Sequence, residues 1–361
     1  MRISRRASHS EFATEMIDVD TLISTTSDQA VSLVQSVVSE PARSLTVLGD
    51  GSERPQLRGV ETTISMLDIR DPGYSLRNGY LLDPARRVVY EKKVGGRFGS
   101  LRVGMAPLEQ AVRIDGTVAW LWSTPNYGHW LLLALPLIEH YRSLLGGDPD
   151  YYYLGSPARA YQFESLDMLG ISRERVLTRG VTAGRLLVAI ADRHGDYDTE
   201  FLLFADGHLQ PWTRAAVAAQ RRLFVSRSGA SHRRLVNELE CARVLGDTFG
   251  FELVSTEGMS LADEIEMFRG AALVVGAHGA GLTNIAFAPS AARVVELAST
   301  TYWDSIFAQI ASVKGQSYAL IRGRSTRGRL GVPASWHDFE IDVEKLVDVV
   351  RAALDEAPPP D

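Results

Sequence analysis

"ALVVGAHGAGLTNIAF", residues 272–287, begins as an apolar run, passes through three glycines and a histidine, and continues as a second apolar run. The first part reads as a short buried strand and Gly281–Phe287 as a helix, so the glycines fall at a strand-to-helix turn. Outward from it the same alternation recurs: "RLFVSR" (222–227), "FELVST" (251–256), "RVVELA" (293–298) and "YALIRG" (318–323) read as strands. Residues 237–247, 260–269 and 303–313 read as helices between them, the second opening on Ser260 as N-cap with Asp263 and Glu264 in its first turn. This order predicts a parallel sheet covered on both faces, a Rossmann-like α/β domain.

The earlier part is less regular. "TVAWLW" (117–122), "YYYLG" (151–155) and "RLLVAIA" (185–191) read as strands, with helices at 128–145 and 158–169, while 59–113 reads as antiparallel strands and turns. The turn residues of "FADGHLQPW" (204–212) suggest a domain boundary. A chain of 361 residues is long for one core, so two domains are expected. The division read here is a mobile arm over 1–30, an N-terminal domain over 31–205, a C-terminal domain over 206–335, and a last helix and tail over 336–361. Val343, Leu346, Val347, Val350 and Leu354 put an apolar stripe on that helix, which must dock.

Composition narrows the partners. With 45% hydrophobic and 23% charged residues the chain is of globular type, and a net charge of -6 excludes a general nucleic-acid binder, which needs a basic face. One cysteine, Cys241, excludes an internal disulfide or a cysteine metal cluster and fits a reducing, cytoplasmic setting. The start, "MRISRRASHSEFATEM", lacks the apolar core of a secretion signal. Residues 116–138 and 270–292 are each free of Asp, Glu, Lys and Arg. Their prolines, glycines, His, Asn and Thr make them protein interior rather than membrane spans.

Three stretches could carry chemistry. A helix N-terminus at the carboxyl end of a parallel strand offers unpaired N–H groups, and Gly279, Ala280 and Gly281 would let an anion approach the backbone. Tight helix–strand packing explains the same glycines equally well. In "LFVSRSGASHRRLVNE" (223–238), Arg227 leaves a strand end, Arg233 and Arg234 follow, and Asn237 and Glu238 read as a helix cap. Guanidinium groups suit phosphate oxygens, although loop arginines are also ordinary surface residues. In "NYGHWLLLALPLIEHYR" (126–142), His129 opens a helix that Pro136 must kink. His140 is roughly 16 Å further along the axis, too far to share a metal with it. A first-turn histidine has its neutral form favoured by the helix dipole, which suits a base.

Taken in order, "NYGHWL", "SRSGASHRRLVNE" and "GAHGAGLTNIAFAPSAARVVEL" resemble glycosyltransferase family 61, the group that includes bacterial capsular polysaccharide enzymes. The resemblance implies a GT-B-like architecture: two Rossmann-like domains with a cleft between them and a C-terminal helix crossing back. It also implies an inverting reaction with no required metal or cofactor. The substrates would be a nucleotide-sugar donor, a UDP-sugar first, and a saccharide or lipid-linked acceptor, in a cytoplasmic protein able to associate peripherally with the inner face of a membrane. Carried onto this chain, it sets the donor against Arg227, Arg234, His278, Gly279, Ala280, Gly281 and Asn284, with Glu296 facing the nucleoside. The family pattern has an Asp and an Arg where this chain has Leu133 and Leu137. His129 is therefore the first candidate for the base, with Asp192, Asp196 and Asp198 of "ADRHGDYD" in reserve.

Other readings fit less well. The best metal-binding Asp-x-Asp is "DPD" (148–150), on the wrong side of its strand; an esterase would need a Gly-x-Ser-x-Gly elbow; and "GAHGAG" is not the Gly-x-Gly-x-x-Gly of a dinucleotide site. A non-catalytic nucleotide-sugar-binding protein with a degenerate acceptor site is the alternative that Leu133 and Leu137 support.

Overall fold

The computed structural model describes residues 16–27, 29–40, 45–48, 57, 60–90, 107–121, 126–155, 158–191, 220–326 and 332–355. They fall into two units, one within 1–38, 61–125 and 133–195, the other within 39–60, 126–132 and 196–361. Both combine helices with sheets that contain parallel strands, so the chain is mixed α/β.

The first unit comprises β1 (Met16–Asp18), α1 (Val19–Thr25), β2 (Val31–Glu40), β3 (Val60–Ile69), β4 (Ser75–Arg77), β5 (Tyr80–Leu82), β6 (Val88–Tyr90), β7 (Val112–Trp120), α2 (Leu137–Leu145), β8 (Tyr151–Tyr153), α3 (Ala160–Met168), β9 (Val176–Leu177) and β10 (Val181–Ala191). Its sheet is mixed rather than Rossmann-like throughout. β10, β7, β8 and β9 run parallel, while β3 and β4 join β10 antiparallel and β5 continues from β4. The antiparallel reading of the region after residue 59 therefore holds for β3 to β6. Tyr141 of α2 is fully buried, donating to the Trp120 carbonyl at 2.7 Å and accepting from the Ala189 N–H at 2.9 Å, which ties the helix to two central strands.

Two expectations for this part are corrected. The arm does not extend to residue 30, because Ile17, Val19 and Leu22 of β1 and α1 are core residues alongside Leu67 and Val188. The helix at 128–145 is broken, not bent: a helical turn at Tyr127–His129 runs into a π-helical stretch at Trp130–Ala134, and α2 restarts with Pro136 at its N-cap. A proline without an N–H is tolerated there and not inside a helix. Leu133 and Leu137 are buried.

The second unit carries β11 (Arg221–Val225), α4 (Glu238–Phe249), β12 (Glu252–Val254), α5 (Leu261–Arg269), β13 (Ala271–Ala277), a 3-10 helix (Ala280–Phe287), β14 (Arg293–Ser299), α6 (Ile306–Lys314), β15 (Ser317–Ser325), β16 (Phe339–Glu340) and α7 (Val343–Asp355). The strand order is β12-β11-β13-β14-β15-β16, parallel except for β16 at the edge. β13 and β14 are buried on both faces, which is why their sequences are continuous apolar runs and not alternations. Ser260 caps α5 by accepting from the Asp263 N–H at 3.1 Å, as its sequence predicts. α4 and α6 each stop on a left-handed glycine, Gly250 and Gly315, both at φ 71°.

The last helix does not cross back. Leu346, Val350 and Ala353 of α7 are fully buried with Cys241 and Leu245 of α4 and Phe224, Val275 and Val295 of the sheet, in the second unit's own core. Leu48 joins the same core, so part of the expected N-terminal domain also belongs here. Leu346→Ala is expected to lose about 2–5 kcal/mol of stability, read as a lower urea midpoint. A variant as stable as the wild type would mean that α7 is not seated there.

Candidate functional site

In the order β12-β11-β13 the strand sequence reverses between β11 and β13, and ligands of open α/β sheets bind at the carboxyl ends beside such a reversal. Arg227 follows β11 at that edge, and His278 and Gly279 follow β13.

Arg227 is held from several sides. Its backbone N–H donates to Glu238 Oε2 at 2.7 Å, while the Ser226 hydroxyl donates to Glu238 Oε1 at 2.6 Å. Glu238, the first residue of α4, thus fastens the loop instead of capping a helix. Asn237 pairs with the backbone of Ile341, accepting its N–H and donating to its carbonyl. The Arg227 guanidinium donates to the carbonyls of Arg233 (3.1 Å) and His232 (3.3 Å). Burial, and after it the neighbouring Arg233, push its pKa down to about 10, the mark of a cation short of counter-charge.

The glycines of the turn divide by purpose. A Cβ on Gly276 would meet Leu282 and Val225 at 3.1 Å, and one on Gly281 would meet Thr256 at 3.3 Å and Val225 at 3.4 Å, so these two serve packing. A Cβ on Gly279 would lie 1.7 Å from Arg227 Nη1. Its φ of 170° is extended backbone open to any residue, so what requires glycine is the guanidinium lying on it.

Behind the turn is a buried chain of acids and bases. His278 Nδ1 hydrogen-bonds Glu296 Oε1, and Glu296 Oε2 accepts from the Tyr318 hydroxyl and from Trp303 Nε1 at 3.3 Å. Glu296 is 0% exposed with both oxygens taken, so it does not face a ligand directly. On the other side His278 Nε2 lies 3.6 Å from Asp304 Oδ2, with Tyr302 and Phe307 edge-on to the ring. Burial works against a charged imidazole, but Glu296 and Asp304 outweigh it and raise the His278 pKa to about 9. At neutral pH the ring is an imidazolium between two carboxylates.

An open pocket lies in front, walled by Asn126, His129, Arg233, His278, Gly279, Ala280, Tyr302 and Asp304, among others. His129 reaches it because Gly128 packs on the 3-10 helix, where a Cβ would lie 2.9 Å from Thr283 Oγ1. Asn284 is not free to hold a ligand: it accepts from the Tyr127 hydroxyl at 2.5 Å and donates to Glu264 at 2.6 Å, pinning 126–132 and α5 to the 3-10 helix. Residues 126–132 accordingly belong with the second unit.

Of the adjacent arginines, Arg234 is tied to Asp338 through Nε (3.1 Å) and Nη2 (2.7 Å) and does not line the pocket. Arg233 does, with its guanidinium 4.4 Å from the Tyr302 ring centroid. Its φ of 56° is left-handed, a conformation that separates it from Arg234 and that no residue type there announces. Tyr302 and Asp304 carry no motif and are legible only in three dimensions. Asp192, Asp196 and Asp198 lie outside the described residues. Among the described residues no group of three His, Cys, Asp or Glu is placed to hold a metal ion, and no helix is long and apolar enough to cross a membrane.

Residues 127–295, just under half of the chain, match the family model described as Glycosyltransferase 61. The chain is a glycosyltransferase. Over that region the chain is similar to glycosyltransferase family 61, as the quoted motifs imply, and the match takes in the pocket wall at His129, the arginine loop and the glycine turn. No curated protein matches the sequence. Among solved structures, the iron-containing dodecameric glycosyltransferase TibC from enterotoxigenic E. coli is similar at 9% identity and a TM-score of 0.33, over 92% of this chain and 89% of that one. A Francisella novicida lysine decarboxylase is similar at 10% identity and a TM-score of 0.24, over 40% of this chain, which spans only 19% of the decarboxylase. Similarity at these scores carries no further argument.

Proposed function

We propose that the chain is an inverting, metal-independent glycosyltransferase that moves a sugar from a nucleoside-diphosphate donor, a UDP-sugar first, to a hydroxyl of a saccharide or glycoconjugate. The observation that carries this reading is the half-buried Arg227 guanidinium lying on Gly279 at the strand reversal. A diphosphate there would supply the missing counter-charge. As the donor bond breaks, negative charge grows on the departing diphosphate, where Arg227, Arg233 and the first N–H groups of the 3-10 helix can stabilise it. That stabilisation is the service a metal ion performs elsewhere.

The acceptor hydroxyl must lose its proton to a group in the pocket, and His129 on the wall is the candidate drawn from the sequence. His278, tied to Glu296 and facing Asp304, acts by holding its neighbours in place. A cytoplasmic setting, with loose attachment to a membrane surface, goes with this reading.

Thermal unfolding with UDP and other nucleoside diphosphates, with and without magnesium, tests it. A rise in Tm with one nucleotide is expected, independent of magnesium and unchanged in Arg234→Ala, because Arg234 is engaged with Asp338. No rise with any nucleotide at millimolar concentration would sink the donor reading. A rise without turnover would leave the alternative, a nucleotide-sugar-binding protein with a degenerate acceptor site.

A further inference from the structure

We propose that Asp304, not His129, takes the proton from the acceptor hydroxyl; this rests on the donor reading above and deepens it. Asp304 sits on the pocket wall before α6, its side chain 26% exposed. Its Oδ2 accepts from the Tyr302 hydroxyl at 3.0 Å and faces His278 Nε2 at 3.6 Å, while Oδ1 accepts from the Ile306 N–H at 3.3 Å. The carboxylate is therefore aimed by two hydrogen-bond donors and the facing imidazolium, and still reaches the open space.

Its surroundings suit the task. The titratable and charged groups about it are His278 after β13, Glu296 on β14, Tyr318 on β15, Tyr302 in its own loop, Arg233 after β11 and His129 from 126–132. Glu296 is consumed by His278, Tyr318 and Trp303, so among these carboxylates only Asp304 opens on the pocket. Burial works to raise its pKa, but the charge of the facing His278 and hydrogen bonds from Tyr302 and the Ile306 N–H hold it below the usual carboxylate range. Such a carboxylate is a weak base, yet it is ionised at every working pH. Glycosyl transfer through an oxocarbenium-like transition state needs little more, because positive charge on the sugar is itself stabilised by the anion.

The step balances. Asp304 takes the hydroxyl proton as the acceptor oxygen bonds to the anomeric carbon. The bond from that carbon to the phosphate oxygen breaks, its electron pair leaves with the nucleoside diphosphate, and Asp304 returns the proton to water.

The test is UDP release from a panel of UDP-sugars, with water or simple alkyl glycosides as acceptors, alongside UDP binding by thermal shift, for wild type, Asp304→Asn, Asp304→Glu and His129→Gln. The expectation for Asp304→Asn is an unchanged UDP shift with kcat lower by about 100-fold or more, and for Asp304→Glu a partial rescue. His129→Gln should stay within about tenfold. Wild-type kcat/KM should be level from about pH 8 down to about pH 5, whereas a histidine base would give an acid limb near 6.5. Turnover by Asp304→Asn within threefold of wild type, loss of its UDP shift, or no UDP release by a wild type that binds UDP overturns the assignment. A wild type that does not bind UDP or any other diphosphate instead fails the donor reading, and this proposal with it.

Discussion

Gly279→Ala is expected to weaken nucleotide binding as much as Arg227→Ala does. The added methyl would sit 1.7 Å from Arg227 Nη1 and 2.7 Å from Cζ, so the guanidinium must leave its seat and give up the carbonyls of His232 and Arg233. The backbone itself accepts alanine, since φ is 170°. The effect thus acts through the arginine. Hydrogen bonds to a charged group contribute about 1.5–3 kcal/mol each, so loss of the positioned guanidinium should raise the Kd for UDP by roughly 10- to 150-fold. In an Arg227→Ala background the same glycine change no longer meets a guanidinium and should add less than about 0.5 kcal/mol. Titration calorimetry on the four proteins completes the cycle. Additive losses, or a Gly279→Ala protein of wild-type affinity, would show that the glycine serves something other than Arg227.

The second large effect is on folding. Glu296→Ala leaves the His278 imidazolium buried with Asp304 as its remaining carboxylate and removes the acceptor for Tyr318 and Trp303. Breaking a buried charge pair from one side costs about 3–5 kcal/mol. The same pair gives stability a pH dependence of definite sign. Histidine titrates near 6.5 in an unfolded chain and at about 9 here. Below pH 6.5 both states hold the proton and the stabilisation is complete; above it only the folded state does, and the contribution fades until it is gone beyond pH 9. Urea midpoints should fall between pH 6.5 and 9 in the wild type and run flatter over that range in Glu296→Ala. Parallel curves would mean that the imidazolium is not what Glu296 holds.

Much of the second unit was legible because its signals are local. A parallel sheet buries strands on both faces, so β13 and β14 had to be apolar runs, and Ser260 caps α5 with its own side chain. The glycine turn was found for the same reason, although two of its glycines answer to packing and one to Arg227. The first unit was read less well, because short antiparallel strands such as β4 to β6 are defined by their partners more than by their own pattern.

What the sequence by itself determined is the α/β class, the glycine turn between strand and helix, and the motifs that match the family model, all carried by residues within one element or its flanking loops. Only the tertiary structure decided which side chains meet there. Asp338, 104 residues away, takes Arg234 and leaves Arg233 to the pocket. Asn284 binds Tyr127, 157 residues earlier, and brings His129 to the wall. Glu296 faces inward to His278, Trp303 and Tyr318, and among the described residues Asp304 is the acid that lines the pocket. Periodicity records which face of an element is apolar. The partner of a charged or polar group across a hundred residues is settled by packing and by the cost of burying charge unpaired, and neither is written in local pattern.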